Sequence, residues 1–353
     1  MGTFFNAFAM GGVGVFTMIS GALLLDLGRN KSIRRFYQRR FLRIVPPYIF
    51  WAVLYFAWRM HMEQESLAWS QFPSAVVGGN AYYHLWFMLM IVELYLLTPL
   101  LRWVVSRVRR EILIGCLFLW FGVEAIIPSL QHAFGYDIWT DYVPNYISYL
   151  GYVGYFVGGH ILSSIRLNTR GMLLAGCAWI TGIVWAGGMI FLEARKAGGM
   201  LTVEWGNHNF YPQVILVAIS AFLILRNLPW ESLWTWKTGA SVVTAVSSAS
   251  FTIYLLHPLL LELNWYSFSP VCLHAAWVHP LVGIPLTVLF AVTTCVLFAL
   301  LVRRLCTGWL RPIAPVIAPW NAASLLPDPG TLNSGKVRIY DAESASSVIG
   351  VGL

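Results

Sequence analysis

Ser247-Ser248-Ala249-Ser250-Phe251-Thr252-Ile253-Tyr254-Leu255-Leu256-His257-Pro258-Leu259-Leu260-Leu261-Glu262 lies inside an apolar run near 241–265. Such a run is long enough to span a bilayer. Ser247, Ser250, Tyr254 and His257 follow steps of three, four and three, which puts them on one face of an α-helix. Ionisable groups at membrane depth are costly unless they face a bundle interior or a wet cavity. Pro258 has no N–H to offer the carbonyl of Tyr254, so a polar backbone oxygen is freed one turn below His257. Two readings follow. The face is a helix–helix seam, with His257 satisfied by a backbone carbonyl, or it lines a site.

Composition fixes the class around this stretch. The chain has 353 residues, 58% hydrophobic and 11% charged, with mean hydropathy +0.67. A soluble domain is nearer a quarter charged, so the expected fold is all-α, a polytopic transmembrane helix bundle. About nine spans are predicted, near 4–25, 41–60, 84–104, 112–131, 145–165, 171–193, 209–227, 241–265 and 280–302. The fifth and seventh are diluted by Gly, Tyr and Asn. Residues 1–305 form the bundle, and residues 306–353 form a cytoplasmic tail that turns polar from about Pro319 and reads as disordered. Aromatics reach 15%, as interfacial belts require. Cys116, Cys177, Cys272, Cys295 and Cys306 form no CxxC pair and give neither a disulfide framework nor a metal site.

The net charge of +8 is a topology signal. Twenty of the 23 Lys and Arg fall on one side of the predicted spans, beginning with Arg29, Lys31, Arg34, Arg35, Arg39, Arg40 and Arg43. The positive-inside rule places that side in the cytoplasm. The N-terminus is then outside and the C-terminus inside, and nucleic acid is an unnecessary partner. Arg40 and Arg43, at helical spacing beside the second span, are either part of this anchor or a clamp for the phosphates of an anionic cofactor. Pro46-Pro47 is expected to break or kink that helix near its start.

The third span opens with His84, Leu85, Trp86 and Phe87 at the outer interface and carries Glu93 near mid-bilayer. Tyr82, Tyr83 and Trp86 suit an aromatic belt. A carboxylate as deep as Glu93 is neutral or paired within a polar cavity. Gly11, Gly12, Gly14 and Gly21 in the first span, and Gly151, Gly154 and Gly158 in the fifth, suit close helix packing. Glu124 lies in the fourth span. Asp137 and Asp141 make the loop 132–144 acidic, and the loop 195–209 is polar and extracytoplasmic.

These stretches together resemble the bacterial acyltransferase family 3, integral-membrane O-acyltransferases that decorate surface polysaccharides, and within it the enterobacterial-common-antigen O-acetyltransferase group. The resemblance covers residues 10–305. It rests on Val13-Gly14-Val15-Phe16 before Ser20-Gly21, on Arg40-Phe41-Leu42-Arg43 with Pro46-Pro47-Tyr48, and on His84-Leu85-Trp86-Phe87 with Tyr95 and Pro99. Gly154-Tyr155-Phe156 with Gly158, and the Ser250–Pro258 helix, complete it. Gly14 stands where the family usually has proline. The family has ten spans, and its first helix carries an arginine and, about ten residues later, the histidine thought to act in transfer. Residues 1–12 contain neither, so that helix is expected to be missing here.

The resemblance implies transfer of an acyl group, most simply acetyl, from acetyl-CoA or another acyl-CoA to a hydroxyl of a polysaccharide or lipid-linked glycan at the bacterial inner membrane. No tightly bound cofactor or metal is implied, and the lipid bilayer is the surrounding partner. His257, Tyr254 and Glu93 are the candidate catalytic residues, with His257 a cavity-lining partner rather than a lone base. Arg40 and Arg43 are the candidates for acyl-CoA, and His84, Trp86 and Glu262 for the acceptor. A glycan or lipid flippase would also show polar faces and kinked helices, and inverted repeats would favour it. A catalytically dead remnant is the other rival.

Overall fold

The computed structural model describes residues 2–26, 32–63, 65–134, 149–196, 209–230, 235–265, 279–305 and residue 316. Asp137, Asp141, most of the loop 195–209, Cys272, Cys306 and nearly all of the tail 306–353 lie outside the described residues, as do Arg29 and Lys31. Among the described residues the chain is all-α, with no strand. The helices are α1 (Gly2–Met10), α2 (Gly12–Leu24), α3 (Ile33–His61), the short α4 (Phe72–Val77), α5 (Trp86–Arg107) and α6 (Arg110–Phe134). They continue as α7 (Tyr152–Leu162), α8 (Thr169–Lys196), α9 (Pro212–Asn227), α10 (Lys237–Trp265) and α11 (Pro280–Leu305).

Every expected span falls on a helix, but among the described residues six are long and apolar enough to cross a membrane: Phe5–Leu24, Ile33–His61, Trp86–Arg107, Thr169–Leu192, Thr238–Leu263 and Pro280–Val302. Six of the roughly nine expected spans thus meet this length and hydropathy among the described residues, and the fourth falls on the 25-residue α6. The fifth and seventh candidates give helices of 11 and 16 residues. Their ends have chemical causes. Pro212 starts α9 at a position where its missing N–H costs nothing. Ser163 and Ser164 close α7 by bonding back to the carbonyls of His160 and Ile161. A second correction concerns Pro46 and Pro47. The basic segment is itself helical from Ile33, so both prolines lie inside one continuous helix rather than near its start.

The chain divides into two compact units, residues 1–37 with 89–228, and residues 38–88 with 229–353. In the first, α2 and α7 pack backbone to backbone. A Cβ on Gly21 would overlap the Phe156 carbonyl, and one on Gly159 would overlap the backbone of Met18. The fifth-span glycine that matters to this contact is therefore Gly159. Gly158 and Gly154 turn to α6, where a Cβ at Gly158 would meet Phe121 at an ordinary 3.9 Å. Tyr155, fully buried, donates to the Asn209 carbonyl at 2.6 Å, and the Asn209 amide donates to the Tyr152 hydroxyl at 2.7 Å. Arg102 on α5 closes the end of α2 by donating to the Leu24 carbonyl at 2.6 Å.

In the second unit, α10 and α11 share a core of Ala249 and Ala299, with Ile253, Val296 and Val302 packed against it. The opposite side of α11 exposes Leu286, Leu289, Leu297 and Leu301, as expected of a helix that faces lipid.

Candidate functional site

The second unit brings together α3, the turn before α5 and α10; Ser247 and Ser250 of the face expected on α10 are half-buried, and the hydroxyl residues buried there are their neighbours. Ser248 and Thr252 are buried, and Ser248 bonds back to the Ala245 carbonyl at 3.0 Å. Tyr254 and His257, one turn further, are half-buried and face a cluster of rings.

His257 resolves the freed-carbonyl question. Its Nδ1 lies 2.9 Å from the carbonyl of Ile253 and 2.9 Å from that of Tyr254. The Tyr254 oxygen is the one that Pro258 leaves without an N–H. Two acceptors around Nδ1 assign the proton of the neutral ring to that nitrogen. Nε2 then carries the lone pair. The side chain is thus held by a backbone carbonyl, as the seam reading requires, and by that same contact its other nitrogen becomes a proton acceptor.

The Tyr254 hydroxyl donates to the His84 carbonyl, which ties α10 to the turn ahead of α5. His84 itself is 7% exposed and sits among Tyr55, Tyr82, Tyr83, Tyr254 and His257. Its ring centre is 5.8 Å from that of His257. Both His84 nitrogens are buried without a partner among the described residues. Such a group costs about 1–3 kcal/mol when left unmet. His84 thus lies beneath the protein surface rather than on it.

That surface holds a cavity of about 490 Å³ lined by Arg59, Glu63, Glu65, Gly79, Asn80, Tyr82, Tyr83, Trp86 and Glu262. Trp86 and Glu262, expected to meet an acceptor, both line it, and His84 does not. Gly79, at φ 74°, makes the turn that carries Asn80 and the tyrosines past the cavity. Arg59 is fully engaged. It pairs with Glu65 through two bonds of 3.0 and 2.6 Å and donates to the Asn80 carbonyl at 2.7 Å. The hydrogen bonds from Arg59 to Glu65 hold its carboxyl below the usual carboxylate range. Glu63, which accepts the Tyr82 hydroxyl at 3.1 Å, is pushed up by burial. Burial likewise raises the Tyr83 phenol to about 12. The signals missed in the sequence are Tyr55, Glu63 and the Arg59–Glu65 pair.

Arg40 and Arg43 lie on α3 within this unit, three residues apart, and are half-buried where Arg34, Arg35 and Arg39 are exposed. Glu93 belongs to the first unit. Its Oε2 is buried with no partner among the described residues.

The model of an acyltransferase domain, Acyl_transf_3, matches residues 1–302 of the 353. The chain belongs to acyltransferase family 3. Comparison with curated proteins and with solved structures returned no match. As a membrane acyltransferase, it must bring an acyl donor and a nucleophile together within helices that carry few ionisable groups. Among the described residues of the second unit, the Tyr254–His257–His84 cluster and the cavity beside Tyr82 are where such groups converge.

Proposed function

We propose that this acyltransferase moves an acetyl group from acetyl-CoA to a hydroxyl of a lipid-linked or surface glycan, of which enterobacterial common antigen is one type. The observation that carries the reading is the cavity beside Tyr82. It sets Tyr82, Tyr83 and Trp86 beside Asn80 and the carboxylates of Glu63 and Glu262. Aromatic rings supply a face for a sugar ring, and the carboxylates and amide accept or donate to its hydroxyls.

The reaction breaks the thioester C–S bond and forms an ester C–O bond. The acceptor hydroxyl loses its proton and the sulfur leaves as a thiol, so one proton passes from oxygen to sulfur. His257, with Nδ1 held by two carbonyls, offers Nε2 to the hydroxyl proton. Tyr254 is the catalytic candidate beside it on α10, and Glu93, in the first unit, is a separate catalytic candidate. The half-buried Arg40 and Arg43 clamp the CoA phosphates at the basic end of α3. His84, through its contacts with Tyr82 and Tyr83, backs the acceptor wall rather than touching the acceptor.

The test is incorporation of labelled acetyl into membrane glycan by cells with the wild-type gene, without it, and with Trp86→Ala. Label that depends on the gene and falls in the Trp86 variant supports the reading. Equal label with and without the gene overturns it.

A further inference from the structure

The turn that carries His257 has a second residue built into it. The Tyr55 hydroxyl donates to the Leu255 carbonyl at 2.7 Å and accepts the Leu259 N–H at 3.2 Å. Those two backbone groups belong to one i→i−4 rung of α10. A side chain standing on a rung is one of the few causes of local helix deformation, and a proline is another. Both occur here on the same turn.

Pro258 explains why the turn admits a side chain. Its ring crowds the carbonyl four residues back and it supplies no N–H. Proline does not explain what fills the next rung. A hydroxyl can donate and accept through one atom, which suits it to bridge the C=O and the N–H of one rung. Tyr55 is 0% exposed. Its ring stacks on Tyr82 at 4.4 Å and 16°, and meets His84 edge-on at 5.0 Å. The hydroxyl is therefore held against the rung by Tyr82, which lines the cavity, and by His84 behind it.

His257 lies between Leu255 and Leu259. Its Nδ1 leans on the carbonyls of Ile253 and Tyr254, just before that rung. A change in the rung turns the peptide units that hold the imidazole.

We propose that Tyr55 is a positioning residue for acyl transfer: its hydroxyl keeps the Pro258 turn open on the Leu255–Leu259 rung, and so fixes the direction in which His257 presents Nε2. The proposal rests on the proton-accepting role given to His257 above.

A structural role and a positioning role differ in what Tyr55→Phe does to the full-length protein in nanodiscs. As a positioning residue, its loss lets the rung close as an ordinary helix bond. The melting temperature then stays close to wild type, while kcat falls about ten- to a hundredfold, with KM for acyl-CoA and acceptor unchanged. The double variant with His257→Gln is no slower than His257→Gln alone, because both act through one group. Wild-type kcat in Tyr55→Phe, with His257→Gln slow, overturns the positioning role and leaves the reading of His257 standing. A wild-type rate in His257→Gln overturns that reading first. A Tyr55→Phe protein that does not fold, or effects that simply add, makes the hydroxyl a structural support and also overturns the proposal.

Discussion

His257 and Pro258 act as a pair at the residue scale. The proline removes an N–H from the Tyr254 carbonyl, and the imidazole supplies another through Nδ1 at 2.9 Å. Replacing His257 by Gln should slow transfer about a hundredfold or more, the usual worth of a positioned base. Initial rates in nanodiscs check this. Pro258→Ala should raise the melting temperature, because the helix regains an N–H for the Tyr254 carbonyl, and should slow transfer, because Nδ1 then shares that acceptor. A faster enzyme would contradict it. Arg59 and Glu65 make a pH prediction. Arg59 holds the Glu65 carboxyl below its usual range, so Glu65 stays ionised to lower pH in the fold than in the unfolded chain. Its contribution is complete above the unfolded value and is lost as pH falls through the folded one. Side-chain exposures of 21% and 37% limit that contribution to that of a surface pair. Between about pH 5 and 3 the melting temperature of wild type should fall more steeply than that of Glu65→Gln, and parallel curves would contradict it. Tyr254, His257 and Pro258 were legible because they are neighbours in sequence at helical spacing. Tyr55 was not. It is one of 16 tyrosines, in an apolar helix, and its backbone partner is 200 residues away.

Helix packing in the first unit shows what spacing leaves undecided. Gly154 and Gly158 are four apart and share a face, and that face meets Trp120 and Phe121 on α6. The contact with α2 uses Gly159 against Met18 and Gly21 against Phe156. A small-residue pattern says that some helix comes close, but the choice of face depends on tertiary contacts. Gly21→Ala and Gly159→Ala should each destabilise by about 1–3 kcal/mol or more, since backbone rather than a movable side chain stands in the way. Gly158→Ala should be nearly neutral. Melting curves of the three variants in one detergent measure this, and a Gly158 variant as damaged as the other two would contradict the assignment of faces. The prolines of α3 make a similar point. A local rule places Pro near a helix start, whereas the hydrogen-bonded helix begins 13 residues earlier at Ile33 and runs through both.

The whole molecule was the most legible level, since its class follows from apolar runs alone. Those runs were read as about nine spans, and six helices meet the length and hydropathy needed among the described residues. Of the other three, α7 and α9 are shorter, their ends set by Ser163, Ser164 and Pro212, and the fourth expected span falls on α6, a helix of 25 residues. Orientation rests on the distribution of Lys and Arg. It predicts that a single cysteine introduced at Gln71 reacts with a membrane-impermeant maleimide added outside intact cells, and that one at Arg35 reacts only after lysis. The reverse pattern would invert the topology. The family fixes acyl transfer, and the place proposed for it is the arrangement around His257. The most direct measurement is single-turnover transfer from [14C]acetyl-CoA to membrane glycan by the full-length protein in nanodiscs, wild type against His257→Gln. The account predicts labelled ester in the wild type and at least a hundredfold slower labelling in the variant. Equal labelling by the two, or wild-type protein that leaves the label on CoA, would contradict it.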